Sequence, residues 1–433
     1  MRRASGVLAV SILTSAVLAG CSPKNGESTE TAPAQAASGQ AAAGATASQP
    51  CTPLETRAAN GGGQEPAFAG QTRACGVPSS VAFDVQVVAR GLAKPWAVEP
   101  LPDGSLLVSE KAGRLRIVSA AGQIGEPISG VPEVDARGQG GLLDVALSPR
   151  FATDRTVFWS FTEPRDGGNG TSVGRGVLSA DRTRLEQVRV ILHTRPTYAN
   201  NMHFGSRLAF GPDGMLYVTM GERSARETRP QAQEPGSHLG KTLRINPADG
   251  SAPRDNPLVG TAGALPEIWS LGHRNIQAAA FDAQGRFWTI EHGTRGGDEL
   301  NRPEPGKNYG WPIAAYGIEY QGGQITSALG GAATQRAGTE QPVYYWDPVI
   351  APSGAQFYTG AAFPAWRNSL FIGGLASMRL VRLTIENDRV TGEEHLLTDR
   401  NKRIRDVRQG PDGALYIVTD EDNAELWRIA PRR

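Results

Sequence analysis

Three polar stretches of this 433-residue chain carry side chains able to do chemistry. Asn200-Asn-Met-His-Phe-Gly-Ser-Arg-Leu208 sets His203 beside a glycine, where an imidazole can stay uncovered and exchange protons near neutral pH. Glu222, after Gly221 at the end of the following strand-like run, is suited to fix the tautomer of that ring. The alternative is a histidine satisfied by backbone groups. Pro266-Glu-Ile-Trp-Ser-Leu-Gly-His-Arg-Asn275 puts His273, Arg274 and Asn275 directly after Gly272. Consecutive Arg and Asn offer a guanidinium fork and an amide to an anion or a carbonyl, or else a structural ion pair. Glu291-His-Gly-Thr-Arg-Gly-Gly-Asp-Glu-Leu-Asn301 is followed closely by Gly306-Lys-Asn-Tyr-Gly-Trp-Pro312. Carboxylates among glycines, with carbonyls free to turn inward, suit a hard cation such as calcium. Zinc is disfavoured, since no CxxC or paired-histidine spacing accompanies them. A glycine-rich structural turn is the other reading.

Lesser candidates extend this set. Gln139 sits on the flexible turn Gly138-Gln-Gly-Gly141. Arg403 and Arg405 alternate, which puts both on one strand face and suggests a partner with several carboxylates, or simply a solvated face. Trp346, before Asp347-Pro348, is either a stacking surface for a sugar ring or a core residue. No GxGxxG runs from a strand into a helix, and the GxSxG at Gly170-Thr-Ser-Val-Gly174 leads into no helical pattern, so nicotinamide and α/β-hydrolase chemistry are disfavoured.

Something must hold these segments together, and the sequence shows it as a repeat. A polar turn followed by a short β-branched and aromatic run occurs at 102–110, 155–161, 212–220, 283–291, 367–373 and 411–419. Three carry Pro-Asp-Gly, and Asp-Gly supplies the left-handed backbone that reverses one strand into the next. Helical periodicity is scarce after residue 82, and Gly and Pro interrupt the chain too often for long helices. The expectation is an all-β, six-bladed β-propeller of four-stranded antiparallel blades over 82–433. The long connections at 163–176, 222–240 and 293–345 are expected to carry the chemistry at one channel mouth.

The ends are different in kind. Arg2 and Arg3, the apolar run Val7–Leu18 and then Leu18-Ala19-Gly20-Cys21 read as a lipoprotein signal over 1–21, with Cys21 acylated. Residues 22–50 are an Ala/Ser/Gly-rich tether without large apolar residues. Residues 51–81 form an N-terminal extension. Its Cys51 and Cys75 are the only other cysteines, so an exported chain is expected to join them as a disulfide, free thiols being the alternative. Export to the periplasm on a lipid anchor follows, with Ser22 favouring the outer membrane. With 44 basic against 43 acidic residues there is no basic field for nucleic acid.

In combination and order, Gln-Gly-Gly-Leu-Leu-Asp144, His203-Phe-Gly-Ser-Arg-Leu, Gly-His-Arg-Asn275, Glu291-His-Gly-x-Arg-Gly-Gly-Asp-Glu, Asn308-Tyr-Gly-Trp-Pro, Ala351-Pro-Ser-Gly and Arg403-Ile-Arg-Asp are similar to the PQQ-dependent glucose/sorbosone dehydrogenase family, and within it to the soluble aldose sugar dehydrogenases. The resemblance spans about residues 82–430. It implies PQQ over the channel mouth, His203 as the base that takes the anomeric hydroxyl proton, and hydride transfer from the sugar C1 to PQQ C5. It makes Glu222 the acid supporting that base, here Glu where relatives often have Asp. Gln139, Arg274 and Asn275 match active-site and cofactor contacts, and Arg403 and Arg405 match the arginine pair beside PQQ. The carbonyls of Gly293 and Thr294 match ligands of the calcium that grips PQQ; Glu299 and the Tyr309 carbonyl match a second, structural calcium. Two positions depart. Ala376 stands where the better-studied glucose enzymes carry a cofactor lysine, and Met202 where they carry an acid before the histidine. The implied partner is a small sugar, with the electron acceptor unspecified. A calcium-dependent propeller lactonase and a non-catalytic binding propeller are the competing readings.

Overall fold

The computed structural model describes residues 51–432, which are almost entirely β-strand and turn. The signal, Cys21 and the tether lie outside the described residues. Six antiparallel sheets form the blades. Their inner strands are Pro95–Pro100, Leu142–Leu147, Gly205–Phe210, Ile276–Phe281, Pro352–Phe357 and Ile404–Gln409, and each contacts the next around a closed ring. Five blades have four strands. In blade 1 the fourth place is filled by an irregular segment, where the Gly125 and Ile128 amides donate to the Ile117 and Leu115 carbonyls at 2.8 Å each.

All six repeated units fall on the second strand of a blade: Leu106–Glu110, Thr156–Arg165, Leu216–Met220, Phe287–Glu291, Leu370–Gly374 and Leu415–Thr419. The Asp-Gly turns work as their composition requires. Asp103, Asp213 and Asp412 each accept the backbone N–H two residues on, while Gly104, Gly214 and Gly413 take positive φ.

Apolar faces of neighbouring blades meet in separate cores. Trp96, Leu107, Val145, Trp159 and Phe161 fill the space between blades 1 and 2. Trp288, Ile290, Leu300, Ile372 and Val381 do so between 4 and 5. Phe371, Leu380, Val407, Ile417 and Trp427 do so between 5 and 6. Each such large side chain contributes about 1.5–3 kcal/mol on burial.

The ring closes with chain from its beginning. Phe83–Leu92 is the outermost strand of blade 6 and pairs antiparallel with Ala424–Pro431. Before it, the extension runs across the outer strands of blades 4 and 5. The Asn60 and Gly61 amides donate to the Asp347 carboxylate, Ala74 N–H to the Tyr344 hydroxyl and Val77 N–H to the Glu393 carbonyl. Gln64 and Gly317 exchange two hydrogen bonds at 2.8 and 2.9 Å. Cys51 and Cys75 form the expected disulfide.

Two expectations about loops need revision. Residues 163–176 are not a loop: Thr156–Arg165 and Gly168–Leu178 are long paired strands joined at Asp166-Gly167. Within 293–345, Asp298–Asn301 is the third strand of blade 4, and Thr326–Ser327 pairs with Gly330–Gly331 in a small hairpin.

Candidate active site

Each inner strand runs away from one rim and each second strand returns to it, so residues just before the first or just after the second gather at the same mouth. His203, Asn275, Ala351 and Arg403 precede inner strands; Lys111, Glu222, His292, Leu375 and Asp420 follow second strands. A hollow of about 340 Å³ opens there, lined by Lys94, Trp96, Lys111, Gly138, Gln139, Gln277, His292, Ala351, Leu375, Arg403, Arg405 and Asp420. That volume is within the range of small-ligand and cofactor sites, roughly 300–1,000 Å³.

His203 is held at this rim from three sides. Its backbone takes φ 49°, in the left-handed region that favours glycine. Its N–H donates to Gln139 Oε1 at 2.8 Å, and its carbonyl accepts from Arg223 N–H at 3.3 Å. Its Nδ1 meets Glu222 Oε1 at 3.1 Å. A carboxylate can only accept, so Nδ1 carries the proton and Nε2 keeps its lone pair. Among the described residues Nε2 has no hydrogen-bond partner. Burial lowers the imidazole pKa below its ordinary value, more than the Glu222 charge raises it, and Arg274 lowers it further. The ring is therefore neutral at pH 7, as a base must be. Glu222 is fixed in turn by the Ser224 and Arg274 backbones. Gly221 allows the close approach: a Cβ there would lie 2.3 Å from the His203 carbonyl oxygen.

Arg274 is buried beside this pair. Its Nη1 donates to the His292 carbonyl at 3.0 Å and its Nη2 to the Tyr320 hydroxyl at 3.3 Å, while its plane lies over Trp311. It has no carboxylate partner among the described residues, and its buried Nε and the buried Nδ2 of Asn275 lack hydrogen-bond partners. Orphaned buried donors of this kind call for an acceptor that completes them. Arg403 and Arg405 share one acid, Asp420, at 2.8 and 3.0 Å.

His292 was not singled out from the sequence. Its Nε2 must donate to the Pro352 carbonyl at 2.6 Å, which leaves Nδ1 as an acceptor. Burial and the neighbouring His203 and Arg274 push its pKa to about 3, so it too is neutral. It lines both the hollow and a second, far smaller cavity. His273, by contrast, is structural: its two ring nitrogens pair with Ser270 and Glu291.

The small cavity, about 10 Å³, is bounded by Arg274, Glu291, Gly293, Glu299, Tyr309 and Tyr316 among others. It has room for one water or one ion. Glu299 is buried beside Glu291, and burial with that like charge pushes its pKa well above the ordinary value. The Asn301 side-chain oxygen and the Thr294 hydroxyl nearby are buried without partners. Oxygen donors with unbalanced negative charge are the set a hard cation takes.

Trp346 stands elsewhere. It ends the outer strand of blade 4, packs edge-on against Tyr344 in the core between blades 4 and 5, and does not line the hollow. The expectation that it stacks on a sugar is corrected: a β-branched and aromatic neighbourhood claims the indole as core. Ala376 is exposed at the rim, next to Leu375, whose carbonyl accepts from Arg403.

Below the mouth, the channel is filled by ion pairs. Arg207 donates to Asp144 at 2.7 Å, approaches Asp406 at 3.2 Å and stacks on Trp96 at 4.4 Å. Arg408 reaches Asp406, Asp144 and Glu99. A propeller hydrolase holds its calcium on carboxylates at the channel centre; here those carboxylates face guanidiniums.

The profile of the glucose/sorbosone dehydrogenase family matches residues 92–428. Aldose sugar dehydrogenase YliI of Escherichia coli is 44% identical over 352 residues, 81% of this chain and 93% of that protein. A crystal structure of a glucose dehydrogenase superposes with a TM-score of 0.77 at 49% identity, covering 80% of this chain and 99% of that one. The PQQ-bound aldose sugar dehydrogenase of Streptomyces coelicolor gives 0.64 at 30% identity, covering 81% and 100%.

Proposed function

Since the chain belongs to the glucose/sorbosone dehydrogenase family, we propose that it is a PQQ-dependent aldose sugar dehydrogenase, oxidising the anomeric carbon of aldoses to the lactone. The observation that carries this reading is the His203–Glu222 pair, whose Nε2 has no hydrogen-bond partner among the described residues and whose backbone is bonded to Gln139 in the wall of a cation-rich hollow.

The residues present fit the cofactor. A flat o-quinone with three carboxylates needs surplus positive charge and buried donors. Arg403 and Arg405 share the single Asp420, Lys111 has no carboxylate partner among the described residues, and Arg274 Nε and Asn275 Nδ2 are unspent. Gln139, Asn275, Arg274, Arg403 and Arg405 are the holding residues. When bound, PQQ supplies the hydride acceptor. Calcium fits the carbonyls of Gly293 and Thr294 for the cofactor, and Glu299 with the Tyr309 carbonyl for the smaller cavity, where the Glu291–Glu299 repulsion is relieved by a divalent charge.

His203 Nε2 accepts the proton of the sugar C1 hydroxyl. The positive charge that then forms on the imidazole is balanced by Glu222 at Nδ1, as in other carboxylate-oriented histidine bases. Gln139 and the Arg223 N–H hold the histidine backbone, so the ring cannot swing away as its charge changes. Arg274, without a carboxylate of its own, is available to a sugar oxygen or to the cofactor.

The test is reconstitution. Full-length protein is incubated with PQQ and calcium, then challenged with a panel of aldoses while the cofactor absorbance and a coupled dye are followed. Sugar-dependent reduction is the expected result. Failure to take up PQQ, or hydrolysis of lactones by the PQQ-free protein, overturns the reading. We propose further that the domain faces the periplasm on acyl chains at Cys21; labelled palmitate should enter the wild type and not Cys21→Ser.

A further inference from the structure

Most cations around the hollow already have carboxylate partners. Arg403 and Arg405 share Asp420, and Lys94 pairs with the exposed Asp422 at 3.1 Å. Lys111 does not. Its ammonium donates to the Gly138 carbonyl at 2.5 Å, and no carboxylate lies within salt-bridge distance. Two of its three N–H donors are unspent among the described residues. Its charged surroundings are Arg405, Lys94 and the already shared Asp420.

We propose that Lys111, from the turn after the second strand of blade 1, is an anion-binding arm of the hollow that grips a carboxylate of the bound cofactor opposite Arg403 and Arg405. This rests on the PQQ reading of the site and adds a residue to it.

The argument is one of charge left over. A lysine with freedom to point into water does so, because its ammonium is strongly hydrated. Lys111 instead lies half-buried along the wall of the hollow, among like charges. Burial and the Arg405 charge both lower its pKa, so the free protein is under electrostatic tension that an anion would release. Placement adds to this. Arg403 and Arg405 stand on blade 6, whose outer strand is Phe83–Leu92, and Lys94 and Lys111 on blade 1. A polyanion between them joins the first and last blades by ionic hydrogen bonds on both sides of the ring's seam.

The experiment titrates PQQ into full-length apoprotein in the presence of calcium, following tryptophan fluorescence and heat, at two salt concentrations. Lys111→Met is expected to weaken PQQ binding about tenfold, the loss of one charged hydrogen bond. It should also flatten the fall of affinity with salt and shrink the PQQ-induced rise in Tm. Lys111→Arg should retain affinity within about threefold, and Lys94→Met, whose charge is already paired, should change it less than twofold. Lys111→Gln replaces the methionine variant if that variant does not reach wild-type Tm without ligand. Unchanged affinity and salt dependence in Lys111→Met or Lys111→Gln overturns the proposal while leaving the PQQ reading intact. A wild type that takes up no PQQ sinks the reading on which it rests.

Discussion

Arg207 in the channel and Arg274 at its mouth are both buried guanidiniums on blades 3 and 4, yet they are spent differently. Arg207 meets two carboxylates, Asp144 and Asp406, and a tryptophan face. Arg274 meets a carbonyl, a phenol and another tryptophan, with no acid. The two regions repeat the contrast. In the channel three carboxylates, Glu99, Asp144 and Asp406, face Arg207 and Arg408. Burial, with the two nearby aspartates, pushes Glu99 up to about 7 despite Arg408, so this acid takes up a proton more readily than a free carboxylate. At the mouth Arg403 and Arg405 divide one acid between them, and the side chains of Lys111 and Arg274 have no carboxylate partner among the described residues. Identical side-chain types are structural where their charges close on one another and receptive where they do not.

The sharpest way to break this comparison is at His203. Removing a positioned base costs about 10²–10⁴ in rate. His203→Ala should lose sugar oxidation by that factor in the reconstituted dye assay, with Tm and PQQ affinity close to wild type. If activity survives, the mouth is not organised around this imidazole. Asp144→Asn tests the other region. It takes from the buried Arg207 its shortest carboxylate contact and leaves Asp406 to be shared with Arg408, and breaking a buried pair costs about 3–5 kcal/mol. Urea unfolding should show that loss, with PQQ affinity per folded molecule unchanged.

Glu99 sharpens the contrast through pH. Its carboxyl titrates near 4.5 when free and near 7 in the fold. The neutral acid therefore favours the fold, a contribution complete below about pH 4.5 and lost as pH rises through 7. Wild-type Tm should decline over that interval, and Glu99→Gln should flatten the decline. About a quarter of the Glu99 side chain remains accessible, which keeps the effect to a few degrees or less. The smallest effect is expected at Trp346. Trp346→Phe should lower stability by about 1 kcal/mol by core loss and leave KM for sugars within twofold.

The propeller was readable because three of the six second strands begin with the same turn chemistry, Asp accepting from the backbone and Gly taking positive φ, and the other three repeat the short β-branched and aromatic run. The end of the Thr156–Leu178 hairpin beyond Phe161 was not, because the side chains it buries as far as Ser172 are Thr162, Asn169, Thr171 and Ser172 rather than aliphatics. These are satisfied by partners far off in sequence, such as Thr171 Oγ1 to the Phe204 carbonyl at 2.9 Å. A polar run is read as loop when its partners are unknown. His203, Glu222, Gln139, Arg274 and the Arg403/Arg405 pair were legible from residue type beside glycine and from the resemblance. Lys111 and His292 were not: each gains meaning only from which strand end it follows and what shares the rim. The channel ion pairs hid for the opposite reason, since Asp144, Arg207 and Asp406 sat inside motifs that drew notice to their neighbours.

The pairing of Phe83–Leu92 with Ala424–Pro431 has a consequence for biogenesis. The first strand of the ring reaches its partner only when the final one is made. Until then blade 6 lacks its middle and blade 1 has no neighbour on that side, so a nascent chain carries open sheet edges for nearly its whole length. Non-local closure of this kind slows folding and exposes strands to pairing with other molecules. A chaperone that shields extended segments, and releases them once the C-terminal strand arrives, would raise the yield of closed rings more than any change at the catalytic mouth.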